Sequence, residues 1–176
     1  MKKVLTLSLS QESIQRAIKE LQDFKTDLQR KCEEYIDRLA QLGEETALMA
    51  INESPLGKTV TLQVNKAVET MGCKAVLIAT GGVNIAEGRE PFYTLLAIEF
   101  GAGIHYNPIP NPKAADLGFG VGTFPGQVHA FEDGWYYLGE DDKWHYSHGV
   151  KATMPMYKAS AEIISQYKQI AAEVFR

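Results

Sequence analysis

The sequence predicts an α+β fold: an antiparallel sheet with a long N-terminal helix and a C-terminal helix, and one long Pro/Gly-rich loop. Three patterns carry that expectation. Apolar residues at Ile14, Ile18, Leu21, Leu28, Cys32, Tyr35, Leu39 and Leu42 recur in steps of four and three, the period of one helix face, with Lys25 standing where the seam lapses. Residues 59–64 alternate and residues 74–80 form an apolar run, with Met71-Gly72 as a turn between them, which reads as an antiparallel hairpin covered on one face. Pro155 suits the first turn of a helix, and Met156, Ile163, Tyr167, Ile170 and Val174 follow at helical spacing.

From the N-terminus, residues 4–9 alternate (Leu5, Leu7 and Leu9 against Thr6 and Ser8) and predict a short edge strand. Ser10 is a suitable N-cap, and Glu12 places an acid in the first turn. Gly43 is the expected C-cap of the long helix, and residues 44–52 continue helically and end before Pro55. A rod over residues 11–42 would be about 48 Å long. A compact chain of this length has a diameter of about 40 Å. The rod therefore either protrudes or breaks, and Thr26-Asp27-Leu28-Gln29, a capping box, is the place for a break.

The 176 residues suit a single domain, 1–176, with 45% hydrophobic and 23% charged residues. A net charge of −4, with bases and acids interleaved, excludes a phosphate-gripping nucleic-acid binder. Cys32 and Cys73 are too few for a disulfide framework and read as small buried hydrophobes. The Met1-Lys2-Lys3 start has too short an apolar continuation for a signal peptide, so a cytoplasmic protein without a membrane span is expected.

The most informative stretch is residues 93–103, Tyr-Thr-Leu-Leu-Ala-Ile-Glu-Phe-Gly-Ala-Gly. It predicts a short apolar helix stopped by Gly101 and Gly103, with the carboxylate of Glu99 and then Phe100 at its end. A carboxylate in so apolar a run must be exposed, paired or held by backbone amides. We expect Glu99 to accept hydrogen bonds from donors near His148-Gly149, tying this helix to the start of the last one.

The segment 101–126 holds four of the seven prolines and six of the fifteen glycines. It predicts a loop over about 103–126 without regular structure, which orders on docking to another protein. Residues 135–138 and 143–146 read as two strands around an acidic turn; they hold both tryptophans, Trp135 and Trp144, and three of the eight tyrosines. Aromatic cross-strand pairs are the expected use of this cluster.

Chemistry is sparse. Gly118-Phe-Gly-Val-Gly122 lies between proline-rich segments with no helix to follow, so it lacks the setting of a phosphate cradle. His145 and His148 with His129 and Glu132 are the conceivable metal ligands, and a small metal-dependent hydrolase would use His129, His145 and His148. In a strand-like stretch, however, His145 and His148 point to opposite faces. No catalytic, cofactor-binding or metal site is predicted, and no cofactor.

The order of these features resembles the tail-completion proteins of long-tailed bacteriophages, also called neck or head–tail joining proteins. That order is long helix, strand pair, Glu99-Phe100-Gly101 with Gly103, aromatic hairpin, His148-Gly149, Pro155 and final helix. The resemblance covers roughly residues 1–100 and 134–176. It implies a non-enzymatic structural protein that forms a homo-oligomeric ring, possibly a hexamer, at the head–tail junction. It also implies other neck and tail proteins as partners, DNA that passes through without specific binding, and residence in the host cytoplasm and then in the virion. A tail-terminator protein capping the tail tube is the alternative. Glu99, Phe100, Gly101, Gly103, Trp135, Trp144, His148, Gly149 and Pro155 are the structural and assembly residues so implied.

Overall fold

The computed structural model describes residues 4, 6, 8–69, 72–85, 91–103, 111–117, 134–138 and 141–176. Its longest element, α1, spans Gln11–Asn52. At 1.5 Å per residue its 42 residues reach about 63 Å. The helix does not break at Thr26, whose hydroxyl instead donates back to the Gln22 carbonyl at 3.0 Å.

Ser10 caps α1 and accepts from the Ser13 amide at 3.3 Å. The edge strand expected ahead of it is not formed at the described positions: Val4, Thr6 and Ser8 lie outside any strand, and Leu9 is fully exposed in a bend. The local serines explain this. The Ser8 amide donates to Ser13 Oγ at 3.0 Å and its hydroxyl lies 3.2 Å from that of Ser10, so the segment is spent on capping.

Gly43 is not a C-cap. It lies buried within α1, where an added Cβ would come 2.8 Å from Ile163 Cδ1. The glycine lets α3, Pro155–Val174, approach closely. The two helices run antiparallel: Lys158 reaches Glu53 at one end, Arg38 pairs with Glu173, the Tyr35 and Phe175 rings meet at 5.8 Å, and Lys31 donates to the Arg176 carbonyl. Ala159, Ile170 and Val174 are the buried stripe of α3, whereas Tyr167, expected there, is 41% exposed. Gly43→Leu is expected to cost about 1–3 kcal/mol by overpacking this contact. Gly43→Ala meets the movable end of Ile163 and gains about 1 kcal/mol of helix propensity, so its urea midpoint should stay near that of the wild type.

Strands β1, Val60–Glu69, and β2, Gly72–Gly81, pair antiparallel in a continuous register from Val60 opposite Gly81 to Glu69 opposite Gly72. The strands are longer than the alternating pattern marked. Val60, Leu62, Val64, Ala75, Leu77 and Ala79 lie on the more buried face, turned to α1. Leu77 Cδ2 lies 3.6 Å from where a Cβ at Gly43 would stand, and Lys66 pairs with Asp37 at 2.6 Å. Cys73 shares this face half-buried, and burial pushes its thiol up.

Two further two-stranded pairs follow. Strands β3, Val83–Asn84, and β4, Phe92–Tyr93, are too short for alternation to have marked them. Strands β5, Trp135–Leu138, and β6, Trp144–Ser147, form the expected aromatic hairpin, with β6 one residue later than the sequence suggests. Between them lies α2, Thr94–Phe100.

Candidate functional site

The short helix α2 is fixed at both ends. At its start Thr94, 1% exposed, donates from its amide to the Gly82 carbonyl at 3.0 Å, and its hydroxyl lies 3.0 Å from that carbonyl and 2.8 Å from the Thr59 hydroxyl. Gly81 lets Leu95 close on the end of β2, since a Cβ there would come 2.6 Å from Leu95 Cβ. Ala97 and Ile98 are fully buried, and Phe100 nearly so.

At its other end the chain turns at Gly101 (φ +79) and Gly103 (φ +88), the left-handed region in which the sequence placed them. Between the two glycines, Ala102 and Val150 exchange backbone hydrogen bonds of 2.8 and 2.7 Å, the bridge that brings His148-Gly149 against Glu99-Phe100-Gly101. Ala97, Ala102 and Val150 form a small apolar cluster there, with Leu56 and Phe92 packed on it. The Ile98 carbonyl accepts from the Thr153 and Met154 amides at 2.9 and 3.3 Å.

Glu99 closes the junction. It is 8% exposed; Oε2 accepts from the Met156 amide at 2.9 Å, and Oε1 from the Tyr157 amide at 3.0 Å and Asn111 Nδ2 at 2.8 Å. Pro155, fully buried, is the first residue of α3, so Met156 and Tyr157 carry amides that a helix start leaves without intrahelical partners. An N-cap side chain normally takes them, but Met154, at φ +54, offers no oxygen. Glu99 therefore caps α3 from another helix, its charge favourably placed at the positive end. Burial pushes the Glu99 carboxyl above its ordinary value, against the amides of Met156 and Tyr157 and the side chain of Asn111, which favour the ionised form. The donors thus lie at the start of the last helix, just beyond the His148-Gly149 turn.

Two residues here were missed in the sequence: Thr94, and Asn111, which is 3% exposed and also accepts from the Lys113 amide. A lone asparagine between Pro110 and Pro112 was the available signal for the second. Asn111 also corrects the expectation of a loop without structure. Residues 111–117 carry a 3-10 turn at Ala115–Leu117, with Asn111 and Ala114 buried, because Glu99 supplies a polar anchor that apolar content does not register. Residues 104–110 and 118–126 of that loop, with Gly118-Phe-Gly-Val-Gly122, and His129 and Glu132, lie outside the described residues.

The aromatic hairpin holds itself by a direct cross-strand pair: Tyr136 lies opposite Tyr146, with ring centroids 4.9 Å apart. Trp135 stands in β5 opposite Ser147, and Trp144 is 65% exposed. His148 meets the Tyr146 ring edge-on at 4.7 Å, while His145 Nε2 lies 2.8 Å from Asp141, whose pKa that contact lowers. The two histidines thus have separate partners. No group of three or more His, Cys, Asp or Glu able to hold a metal occurs among the described residues, and no helix among them is long and apolar enough to cross a membrane. Elemental analysis of the purified protein is expected to find no stoichiometric metal; about one zinc per chain, lost in His145→Ala, would contradict this.

No family model, curated protein or solved structure matches this chain.

Proposed function

We propose that this chain is a non-enzymatic structural protein of a long-tailed bacteriophage or prophage, forming a homo-oligomeric ring at the head–tail junction as a tail-completion or neck protein. The observation that carries the reading is the junction itself. The two segments on which the resemblance stands, Glu99-Phe100-Gly101 and His148-Gly149, are far apart in sequence and close on each other through the Ala102–Val150 bridge and the Glu99 cap of α3. Such a junction fixes the relative placement of hairpin and helices, which a ring subunit needs. Exposed apolar side chains on α1, such as Ile18 and Leu21, suit a protein that works by contact with others. The acidic balance suits a wall past which DNA slides without being held.

Assembly would take place in the host cytoplasm and end in the virion, with other neck and tail proteins as partners. In a strain that produces the particle, disrupting this gene is expected to leave DNA-filled heads and tails unjoined, and purified protein added to the extract should join them. Normal particles from the disrupted strain would sink the reading.

A further inference from the structure

The chain has two cysteines, Cys32 and Cys73, far apart in sequence and both free and half-buried. The fold brings them to one place. Cys73 lies on the face of β2 turned to α1, in line with Ala75, Leu77 and Ala79. Cys32 stands eleven residues before Gly43, about three helical turns, and so on the same line of α1. That line is where β2 approaches, since Leu77 Cδ2 is 3.6 Å from a Cβ built at Gly43. The ion pair of Lys66 with Asp37, at 2.6 Å, fixes the register further along, because Lys66 lies opposite Ala75 in the hairpin. From that level Cys73 is two residues, about 7 Å, further along β2. Cys32 is five residues, about 7.5 Å, further along α1 in the same direction. The groups that bear on the Cys73 thiol agree with this placement: burial raises it most, then Glu33, Cys32 and Asp37, all three on this stretch of α1.

We propose that Cys32 and Cys73 are a redox-active thiol pair, which closes into a disulfide between α1 and the tip of the β1–β2 hairpin on meeting a small-molecule disulfide such as oxidised glutathione. One thiolate attacks a glutathione sulfur, forms a mixed disulfide and releases one glutathione thiolate. The second thiolate attacks the protein sulfur of that mixed disulfide and releases the other. Two protein thiols are oxidised, one disulfide is reduced to two thiols, and the protons lost by the cysteines go to the released glutathione. The site is open to such a reagent. Val68, opposite Cys73 across the hairpin, is 58% exposed, so the cover given by α1 ends beside this thiol.

Bridging brings the two Cα atoms within about 7 Å, and the hairpin tip is the element that closes on α1. At its far end the hairpin is fixed, by Leu95 against Gly81 and by the Gly82 amide on the Thr59 carbonyl. Near its tip the contact with α1 is the Lys66–Asp37 pair, whose side chains are 52% and 53% exposed, and an exposed pair holds little. A covalent link there would supply the missing tie. A thiol raised above its ordinary value is a poor leaving group, so the bridge, once made, opens slowly. Reducing cytosol keeps such a pair open and oxidising surroundings close it. The inference stands independently of the ring reading.

The test equilibrates wild type with mixtures of reduced and oxidised glutathione, with and without denaturing urea, followed by an acid quench. Intact-mass spectrometry and thiol counting read the products. Native wild type should lose two hydrogens and both thiols, and the effective concentration of the pair should be about tenfold or more above that in urea. By linkage, oxidation should then raise the urea midpoint of wild type, and dithiothreitol should return it. Cys32→Ser and Cys73→Ser should each take up one glutathione and show no such rise. An effective concentration no higher in the native chain than in the unfolded one would overturn the proposal. So would native wild type that stays reduced in every mixture, or that accumulates only glutathione adducts or disulfide-linked dimers.

Discussion

Gly149→Ala is expected to lower stability by about 3 kcal/mol or more. Gly149 has φ +118, a region in which a side chain adds strain of about 1–3 kcal/mol. Strain is the smaller part. A Cβ there would stand 2.0 Å from the Ala102 carbonyl oxygen and 3.1 Å from Gly103 Cα, both backbone atoms with no rotamer to escape into. That same carbonyl accepts from the Val150 amide at 2.7 Å, so relieving the overlap means opening the Ala102–Val150 bridge and exposing Ala97 and Ala102. Gly72→Ala is the control, because a Cβ at Gly72 meets nothing within 4 Å; a change within about 0.5 kcal/mol is expected there. Urea midpoints at constant slope measure both. Equal midpoints for the two variants would show that the bridge contributes nothing.

Gly149 also marks what the sequence could and could not convey. The helices were legible because each carries many apolar residues at one period, and the β1–β2 hairpin because alternation runs through both strands. Gly101 and Gly103 were legible as stops, since glycine after an apolar helix has one common use. Gly43 looked the same and was not, because a glycine chosen for close helix packing and one chosen for positive φ are the same letter. Length alone did not decide whether α1 breaks; Thr26 has capping-box chemistry but spends its hydroxyl on Gln22.

The candidate site was legible in part for a similar reason. A carboxylate at position 99 in an apolar run calls for donors, and the chain order offers the start of the last helix. That the donors are the Met156 and Tyr157 amides follows from Pro155 taking the first position and Met154 lacking a capping oxygen, which sequence does permit one to read. Asn111 could not be placed, because a polar anchor inside a Pro/Gly-rich segment has no periodicity to reveal it. Thr94 was hidden likewise, as a single threonine whose partners, Gly82 and Thr59, come together only when the hairpin closes.

Glu99→Ala is expected to cost about 3 kcal/mol. It strips the acceptors from the Met156 and Tyr157 amides, each of which costs about 1–3 kcal/mol when buried unsatisfied, and leaves Asn111 Nδ2 with the Glu99 backbone carbonyl at 3.4 Å alone, while water entering the space left by the side chain recovers part of the loss. Glu99→Gln keeps one acceptor oxygen but turns an amide group toward one of the donors, and should fall between wild type and alanine. Its further use is that it does not titrate. Burial holds the Glu99 carboxyl above its ordinary value, so the folded chain binds this proton more tightly than the unfolded chain does. The stability due to that proton is fully present below the ordinary glutamate value and is lost as pH rises through the raised one. Unfolding free energies of wild type and Glu99→Gln, measured from neutral pH downward, should therefore differ by a constant amount above the raised value. Below it the difference should move in favour of the wild type until the ordinary value is reached. A difference that moves the other way on acidification would mean that the three donors outweigh burial, and that the carboxylate caps α3 at full charge.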